Sequence, residues 1–253
     1  MSSKFTASLC LQLSFLLLLQ TVFSAQLLPP GAFCSQLSLN FTADHDPYAT
    51  SLNELMQYLS YHSASTGFSL GSKGANQYKT YGLALCYSYV SPTDCLNCVV
   101  EASKKIRRQC PYRKGANIWY DDCFLKYMNL DFFGLIDFSA LVMCNPGNAT
   151  DPISFNQHKT ELLSQLANNV STSLKMYRTG ELELAGSAGK LYAEAQCTRD
   201  LFSVDCKQCL DHFIAKYACN GRPGGRIYGG SCYLRFETYD FFSASKLSQN
   251  LGV

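Results

Sequence analysis

Apolar side chains recur at intervals of three and four residues in two long stretches of the chain, which is the spacing of one face of an α-helix. The first stretch runs from Tyr48 to His62, and the second begins at Leu162. The apolar positions are Leu52, Leu55, Met56 and Leu59 in the first stretch, and Leu162, Leu163, Leu166, Val170, Leu174 and Tyr177 in the second. Each stretch predicts an amphipathic helix with one buried face.

Each of these helices is followed by a predicted strand and a second helix. Ser91-Pro92-Thr93-Asp94 is typical of a helix start, with a capping Ser, Pro in the first turn and an acid three residues after the cap. That helix is predicted to reach about Arg108, and its counterpart runs from Ser203 to Tyr217. Strands are predicted at residues 78–86, 118–127, 191–197 and 226–239, with Gly229-Gly230 interrupting the last. The repeated order predicts an α+β fold of two tandem domains, each with two helices packed on an antiparallel β-sheet.

The cysteines repeat with the same period as these elements. The first set reads Cys34, then Cys86-x8-Cys95-x2-Cys98-x11-Cys110-x12-Cys123, and the second reads Cys144, then Cys197-x8-Cys206-x2-Cys209-x9-Cys219-x12-Cys232. Matched spacing over two sets of six indicates one disulfide-rich folding unit present twice. Six cysteines allow about 15 pairings, and spacing alone does not choose among them.

Residues 1–25 are predicted to be a secretory signal peptide. Lys4 precedes an apolar run, and Val22-Phe23-Ser24 provides a cleavage site next to Ala25. The run is shorter than the ~20 apolar residues of a spanning helix, and no later segment is long and apolar enough. We therefore expect a secreted, apoplastic protein without a transmembrane anchor, whose cysteines form disulfides.

The expected organisation after the signal is a first domain at 26–138, a connector at 139–143, a second domain at 144–245 and a tail at 246–253. The segment from Gly134 to Met143 is apolar, whereas a flexible linker is rich in Gly, Ser or charge. We expect this segment to pack between the domains and make the tandem rigid.

Charge is nearly balanced, with 21 basic and 19 acidic residues and a net charge of +2. This balance gives no overall attraction to nucleic acid or to an anionic membrane. The exception is a local basic cluster made of Lys104, Lys105, Arg107, Arg108, Arg113 and Lys114. A solvated helix face is the preferred interpretation, and docking to acidic wall polymers such as pectate is the alternative.

The sequence has no nucleophile elbow, no supported pair of catalytic carboxylates and no phosphate loop, so we expect no enzyme activity and no cofactor. Cys95-x2-Cys98 and Cys206-x2-Cys209 resemble redox motifs, but redox catalysis is disfavoured. His212 follows Cys209 by three residues without completing a zinc ligand set, so no metal site is predicted.

Two hexapeptides carry a family resemblance. Residues 81–86 read YGLALC and residues 192–197 read YAEAQC, and each is followed by the x8-Cys-x2-Cys spacing. This pattern resembles the ginkbilobin-type, or stress-antifungal, domain of land plants. Two such domains after a signal peptide resemble the cysteine-rich repeat secretory proteins. The same tandem occurs in the extracellular parts of cysteine-rich receptor-like kinases and plasmodesmata-located proteins, which also have a membrane helix.

The resemblance implies that cysteines one and five, two and three, and four and six of each set are paired. Carried over, the bridges are Cys34–Cys110, Cys86–Cys95, Cys98–Cys123, Cys144–Cys219, Cys197–Cys206 and Cys209–Cys232.

Ginkbilobin is an antifungal lectin that binds mannose, and its three sugar contacts match Asn145, Arg226 and Glu237 of the second unit. The first-unit equivalents are Ser35, Asn117 and Met128, and none of them matches. Asn, Arg and Glu supply the donors and acceptors that sugar hydroxyls require. Arg226 and Glu237 are an odd number of residues apart, so both can face one side only if the strand breaks, as Gly229-Gly230 allows.

The resemblance therefore implies a lectin-like protein that binds mannose-type glycans in plant defence or apoplastic signalling. From residue types alone, an ordinary surface ion pair would be favoured. The alternative function is a protein-interaction module that docks to a receptor-kinase ectodomain, and a third is antifungal or inhibitory activity independent of sugar. Predicted glycosylation sites are Asn40, Asn148 and Asn169, and a glycan on Asn148 would crowd Asn145.

Overall fold

A computed structural model describes residues 31–36, 40–41, 45–184 and 189–241. The predicted signal peptide and the tail at 246–253 lie outside these residues. Each half of the described chain forms a five-stranded antiparallel sheet with two helices packed against one face. The fold class predicted from the sequence is confirmed.

The first unit contains five strands, two helices and one short 3-10 turn at Asn76–Tyr78. Its elements are β1 (Gly31–Cys34), α1 (Pro47–Thr66), β2 (Phe68–Lys73), β3 (Thr80–Cys86), α2 (Pro92–Gln109), β4 (Gly115–Trp119) and β5 (Cys123–Met128). The order across the sheet is β1-β4-β5-β3-β2.

The second unit repeats this topology. Its elements are β6 (Ala140–Cys144), α3 (Pro152–Ser171), β7 (Tyr177–Glu183), β8 (Lys190–Cys197), α4 (Ser203–Tyr217), β9 (Gly225–Gly229) and β10 (Cys232–Glu237). The order across the sheet is β6-β9-β10-β8-β7, so every strand occupies the place of its counterpart in the first unit.

Local sequence signals account for the helix ends. The Ser91 hydroxyl accepts a hydrogen bond from the amide of Asp94, as the predicted cap requires. Asp46 caps α1 in the same way through the amide of Tyr48. Gly67 ends α1 with φ 73°, and its N–H donates to the carbonyl of Ser63.

Several sequence predictions need correction. Residues 118–127 form parts of two strands, β4 and β5, because the chain turns at Asp121-Asp122. Helix α3 ends at Ser171, so Leu174 is exposed and Tyr177 begins β7. The connector expected at 139–143 is mostly strand β6, which pairs with β9. The edge strands β1, β2, β6 and β7 were not predicted.

The six disulfides implied by the resemblance are all present, and none crosses between the units. They are Cys34–Cys110, Cys86–Cys95, Cys98–Cys123, Cys144–Cys219, Cys197–Cys206 and Cys209–Cys232. On a chain-entropy basis each contributes about 2–4 kcal/mol to a unit whose core is small.

The two units meet through the sheet faces that point away from the helices. Tyr87 stacks on Tyr233 with ring centroids 4.1 Å apart, and Trp119 Nε1 donates to the carbonyl of Gly229 at 2.9 Å. Tyr228 joins the same buried cluster.

The segment from Gly134 to Met143 packs between the units, as expected: Asp137 pairs with Lys126 of the first unit at 2.6 Å, and its backbone N–H donates to Ser231 Oγ of the second unit at 2.8 Å. Leu141 packs against the same inter-unit cluster, whereas Leu135 and Phe138 are exposed. The inter-unit contact is therefore built by the sheets and by this segment.

Candidate functional site

The structure brings Asn145, Arg226 and Glu237 together at one end of the adjacent strands β6, β9 and β10. Arg226 lies on β9, and Glu237 ends β10, which returns antiparallel beside it. Asn145 directly follows β6, and its backbone N–H donates to the carbonyl of Gly224 at 2.9 Å. The break after Gly229 turns the chain, so that two residues eleven apart reach the same face.

Glu237 is the centre of this group. Its Oε2 accepts a hydrogen bond from Asn145 Nδ2 at 2.7 Å, and its Oε1 lies 3.8 Å from Arg226 Nε. Arg235 Nε lies 3.4 Å from the same Oε1. A Cβ at residue 224 would overlap Glu237 Oε2 and Asn145 Nδ2, so Gly224 leaves the space that the pair occupies.

The side chains of the group differ in how far they are exposed to solvent, and this difference indicates different roles. The Glu237 side chain is 1% exposed, whereas the Arg226 side chain is 26% exposed. A buried carboxylate needs charged or hydrogen-bonding partners, and Asn145, Arg226 and Arg235 supply them. Glu237 therefore orients its neighbours, while Arg226 presents charge toward solvent.

The first unit adds a residue that sequence reasoning missed. Asp121, in the turn between β4 and β5, places Oδ1 2.6 Å from Arg226 Nη1. Tyr228 OH donates to the same Oδ1 at 2.8 Å. The Asp121 side chain is 57% exposed. No local signal pointed to Asp121, because its role depends on how the two units pack.

A groove of about 410 Å³ lies at this end of the second unit, and none of Asn145, Arg226 and Glu237 lines it. Its walls include Pro223 and Thr238, the chain neighbours of Gly224 and Glu237. Further polar wall residues are Asn148, Thr150, Asp151, Ser154 and His158. Hydroxyl, carboxylate and imidazole groups in one concave surface suit a polar, hydroxyl-rich ligand.

The corresponding place in the first unit has different chemistry. Ser35, Asn117 and Met128 line a groove of about 400 Å³ whose other walls are largely apolar. Lys126, the counterpart of Arg235, pairs there with Asp137 at 2.6 Å. Burial would raise the pKa of Asp137, but Lys126 outweighs it and the pKa is lowered. The two units thus share a scaffold and differ in what this position can bind.

A buried carboxylate lies next to the second-unit site. Glu194 on β8 is opposite Arg235 on β10 and is wholly buried in the inter-unit interface. Burial raises its pKa to about 7, against the opposing effects of Arg235 and the Tyr233 hydroxyl. The site is thus close to a group that changes charge near neutral pH.

The other predicted residues fall in separate places. Asn40, Asn148 and Asn169 are all exposed, as glycosylation acceptors must be. The His212 ring packs 4.6 Å from the Phe138 ring. Within residues 31–36, 40–41, 45–184 and 189–241, no cluster of three or more His, Cys, Asp or Glu side chains could hold a metal ion. Over the same described ranges, no helix has the length and apolar character needed to cross a membrane.

Comparison with known proteins gives two kinds of match. A family model described as salt stress response/antifungal matches residues 33–130 and 143–239. The antimicrobial ginkbilobin-2-like protein of Castanea crenata is 45% identical over 249 residues, covering 96% of this chain and 100% of the relative. Cysteine-rich repeat secretory protein 38 of Arabidopsis thaliana is 40% identical over 213 residues, covering 82% and 83%.

Two solved structures share the tandem architecture. The tandem DUF26 ectodomain of the Arabidopsis thaliana cysteine-rich receptor-like protein PDLP5 superposes with a TM-score of 0.65 at 25% identity, covering 83% of this chain and 98% of that one. The PDLP8 ectodomain superposes with a TM-score of 0.72 at 24% identity, covering 85% and 100%. The likeness to PDLP8 concerns the fold alone.

Proposed function

The chain belongs to the salt stress response/antifungal family, and from this premise we propose that it is an extracellular defence protein that binds mannose-type glycans through its second unit. One observation carries the proposal: Asn145, Arg226 and Glu237, distant in sequence, form one group in which Glu237 accepts a hydrogen bond from Asn145 and forms an ion pair with Arg226. The name of the Castanea relative, an antimicrobial protein, supports the defence role.

The hydrogen-bond polarity of the group suits a sugar. A carboxylate only accepts, so the amide of Asn145 turns its NH2 group toward Glu237 and keeps its Oδ1 as an acceptor for ligand. The Arg226 guanidinium supplies donors, and the exposed Asp121 carboxylate supplies a second acceptor beside it. Adjacent hydroxyls of a pyranose need this alternation of donors and acceptors.

The expected affinity for one monosaccharide is low. Three net hydrogen bonds of about 1–1.5 kcal/mol each give roughly 3–4.5 kcal/mol, which corresponds to a dissociation constant of about 1 mM. A longer ligand that extended from the group past Thr238 would reach the groove there, whose walls include Ser154 and His158. We therefore expect a mannose oligosaccharide to bind more tightly than free mannose.

Isothermal titration with a mannose oligosaccharide tests the proposal. Asn145→Ala should weaken binding about tenfold, since one hydrogen bond and the orientation of Glu237 are lost. The matched control is Asn117→Ala at the Arg226 position of the first unit, which should leave the affinity unchanged. Equal binding by the Asn145 variant and the unaltered protein would remove the assigned site.

A second candidate function is docking to an extracellular protein such as a receptor-kinase ectodomain. The specific observation is the apolar rim of the first-unit groove, where Phe33 and Leu135 are 61% and 63% exposed. Exposed apolar side chains gathered at one groove are typical of a protein contact. Free mannose separates the two functions, because it should block glycan capture and leave a protein contact at Phe33 and Leu135 intact.

A further inference from the structure

The structure divides the basic cluster of the first unit into two parts. Lys104, Arg107 and Arg108 are exposed on the last two turns of α2 and line a groove of about 390 Å³. Lys114 instead lies 5.1 Å from the ring centroid of Tyr48. The cations of α2 therefore belong to a concave surface and are not simply spread over a solvated face.

The groove has positive charge and no acidic wall. Its lining includes Lys104, Arg107, Arg108, Phe41 and Tyr112, and no Asp or Glu among the described residues. The ion pairs formed within the described ranges use none of the three cations. Arg107 donates to the neutral amide oxygen of Asn53. This surface can therefore accept an anion without first breaking an internal salt bridge.

Tyr112 adds an aromatic ring in an unfavourable backbone conformation. Its φ is 61°, a left-handed value that bulky side chains avoid. Its carbonyl accepts from the N–H of Phe41 at 2.9 Å, and the two rings lie edge to face with centroids 5.6 Å apart. The Tyr112 side chain is nonetheless 44% exposed.

In the second unit, the position equivalent to Tyr112 carries no aromatic ring. Gly221, two residues after Cys219 as Tyr112 is after Cys110, has φ 77°. Its carbonyl makes the equivalent hydrogen bond, from the N–H of Ala149 at 2.8 Å. Glycine suits a left-handed position, so a tyrosine there imposes strain that the fold itself does not need.

Two of the cations also have no charged counterpart in the second unit. Counting from the shared cysteines Cys98 and Cys209, the counterparts of Lys104 and Arg107 are Ala215 and Ala218. The first unit therefore carries the ring and the cations Lys104 and Arg107, which the second unit lacks, although Lys216 and Arg222 keep the counterparts of Lys105 and Arg113.

We propose that this groove binds a polyuronate, an acidic polysaccharide of uronic acid rings. The exposed face of Tyr112 offers a stacking surface for the apolar side of a pyranose ring, and the guanidinium groups of Arg107 and Arg108 pair with carboxylates. The volume of the groove fits one or two sugar rings, and the spread of cations along α2 fits a repeating anion. The proposal is independent of the mannose site.

The test is binding of the full chain to an unesterified homogalacturonan oligosaccharide, measured by titration calorimetry at several salt concentrations. Binding should weaken as salt rises. The Arg107→Gln/Arg108→Gln double variant should lose at least about tenfold in affinity, since a charge-assisted hydrogen bond is worth about a factor of ten. Tyr112→Asn keeps a residue that tolerates positive φ and should weaken binding without lowering the melting temperature.

The control is Lys175→Gln/Arg178→Gln, which removes two exposed charges from the second unit and should bind normally. Glu237→Gln should also bind normally, so failure of the mannose proposal would not affect this result. The proposal would be overturned if the protein bound the fully methyl-esterified oligosaccharide with equal affinity. It would also be overturned if the control variant lost as much affinity as the Arg107→Gln/Arg108→Gln variant. Binding to phosphatidylserine vesicles, sensitive to the same variants, with no binding to the oligosaccharide, would overturn it as well.

Discussion

The buried carboxylate of Glu194 predicts that stability falls as the pH rises toward neutrality. Its pKa is raised from 4.5 in the unfolded chain to about 7 in the folded protein, chiefly by burial. Below pH 4.5 the Glu194 carboxyl is neutral in both the folded and the unfolded state, so its ionisation does not change the free energy of unfolding. Between pH 4.5 and 7 the unfolded chain ionises first, so unfolding is increasingly favoured as pH rises.

The size of the effect follows from the shift. One pKa unit corresponds to 1.36 kcal/mol, so a rise from 4.5 to about 7 removes about 3 kcal/mol of stability by pH 8. Glu194→Gln keeps the shape and stays neutral. The variant should match the unaltered protein at pH 4 and exceed its free energy of unfolding by about 3 kcal/mol at pH 8.

Urea unfolding followed by fluorescence measures this difference. The chain has one tryptophan, and Trp119 is fully buried in the inter-unit cluster. Other titrating groups, including Asp122, whose pKa is raised chiefly by burial, are common to both proteins and cancel. Glu181→Gln, an exposed change, is the control. If Glu194→Gln were less stable than the unaltered protein at pH 8, Glu194 would be an ion-pair partner of Arg235 and the reasoning would be refuted.

Three further outcomes are expected. Asp121→Asn should change the free energy of unfolding by less than about 1 kcal/mol, because its pair with Arg226 is partly exposed, yet it should weaken mannose oligosaccharide binding in calorimetry; unchanged binding would exclude Asp121 from the site. Trp119→Phe should lower the free energy of unfolding by about 1–3 kcal/mol by leaving the Gly229 carbonyl unpaired; because it removes the one tryptophan, its urea unfolding is followed by circular dichroism, and a cost near zero would show that this bond does not join the units. Lys159→Met should also lower the free energy of unfolding by about 1–3 kcal/mol, since Lys159 Nζ donates to Asn156 and to the carbonyl of Ala218 at the end of α4. A variant more stable than the unaltered protein would show that these hydrogen bonds do not stabilise the fold.

Sequence patterns predicted the helices well because each carries local information. Helix α4 lies at Ser203–Tyr217, as predicted, and the Ser91 cap forms. The edge strands are short and were missed. The turn at Asp121-Asp122 contains no glycine, so residues 118–127 looked like one strand. Leu174 extended the helical spacing by coincidence, because it lies three residues beyond the end of α3 and is exposed.

The candidate site was only partly visible in the sequence. Family resemblance pointed to Asn145, Arg226 and Glu237, and the break at Gly229-Gly230 explained how two of them could meet. Sequence could not show that Glu237 is buried or that Asp121 reaches Arg226 from the first unit. Both facts depend on packing between the sheets, which no local pattern encodes.

The most direct test of the account is to observe the site residues while a mannose oligosaccharide is added. In an NMR titration of the full chain, the side-chain amide of Asn145 and the Nε–H of Arg226 should shift saturably, and the amide of Asn117 in the first unit should not. Saturable shifts confined to Asn117 and its surroundings, or no shift at Asn145 and Arg226 at millimolar sugar, would contradict glycan binding by the second unit.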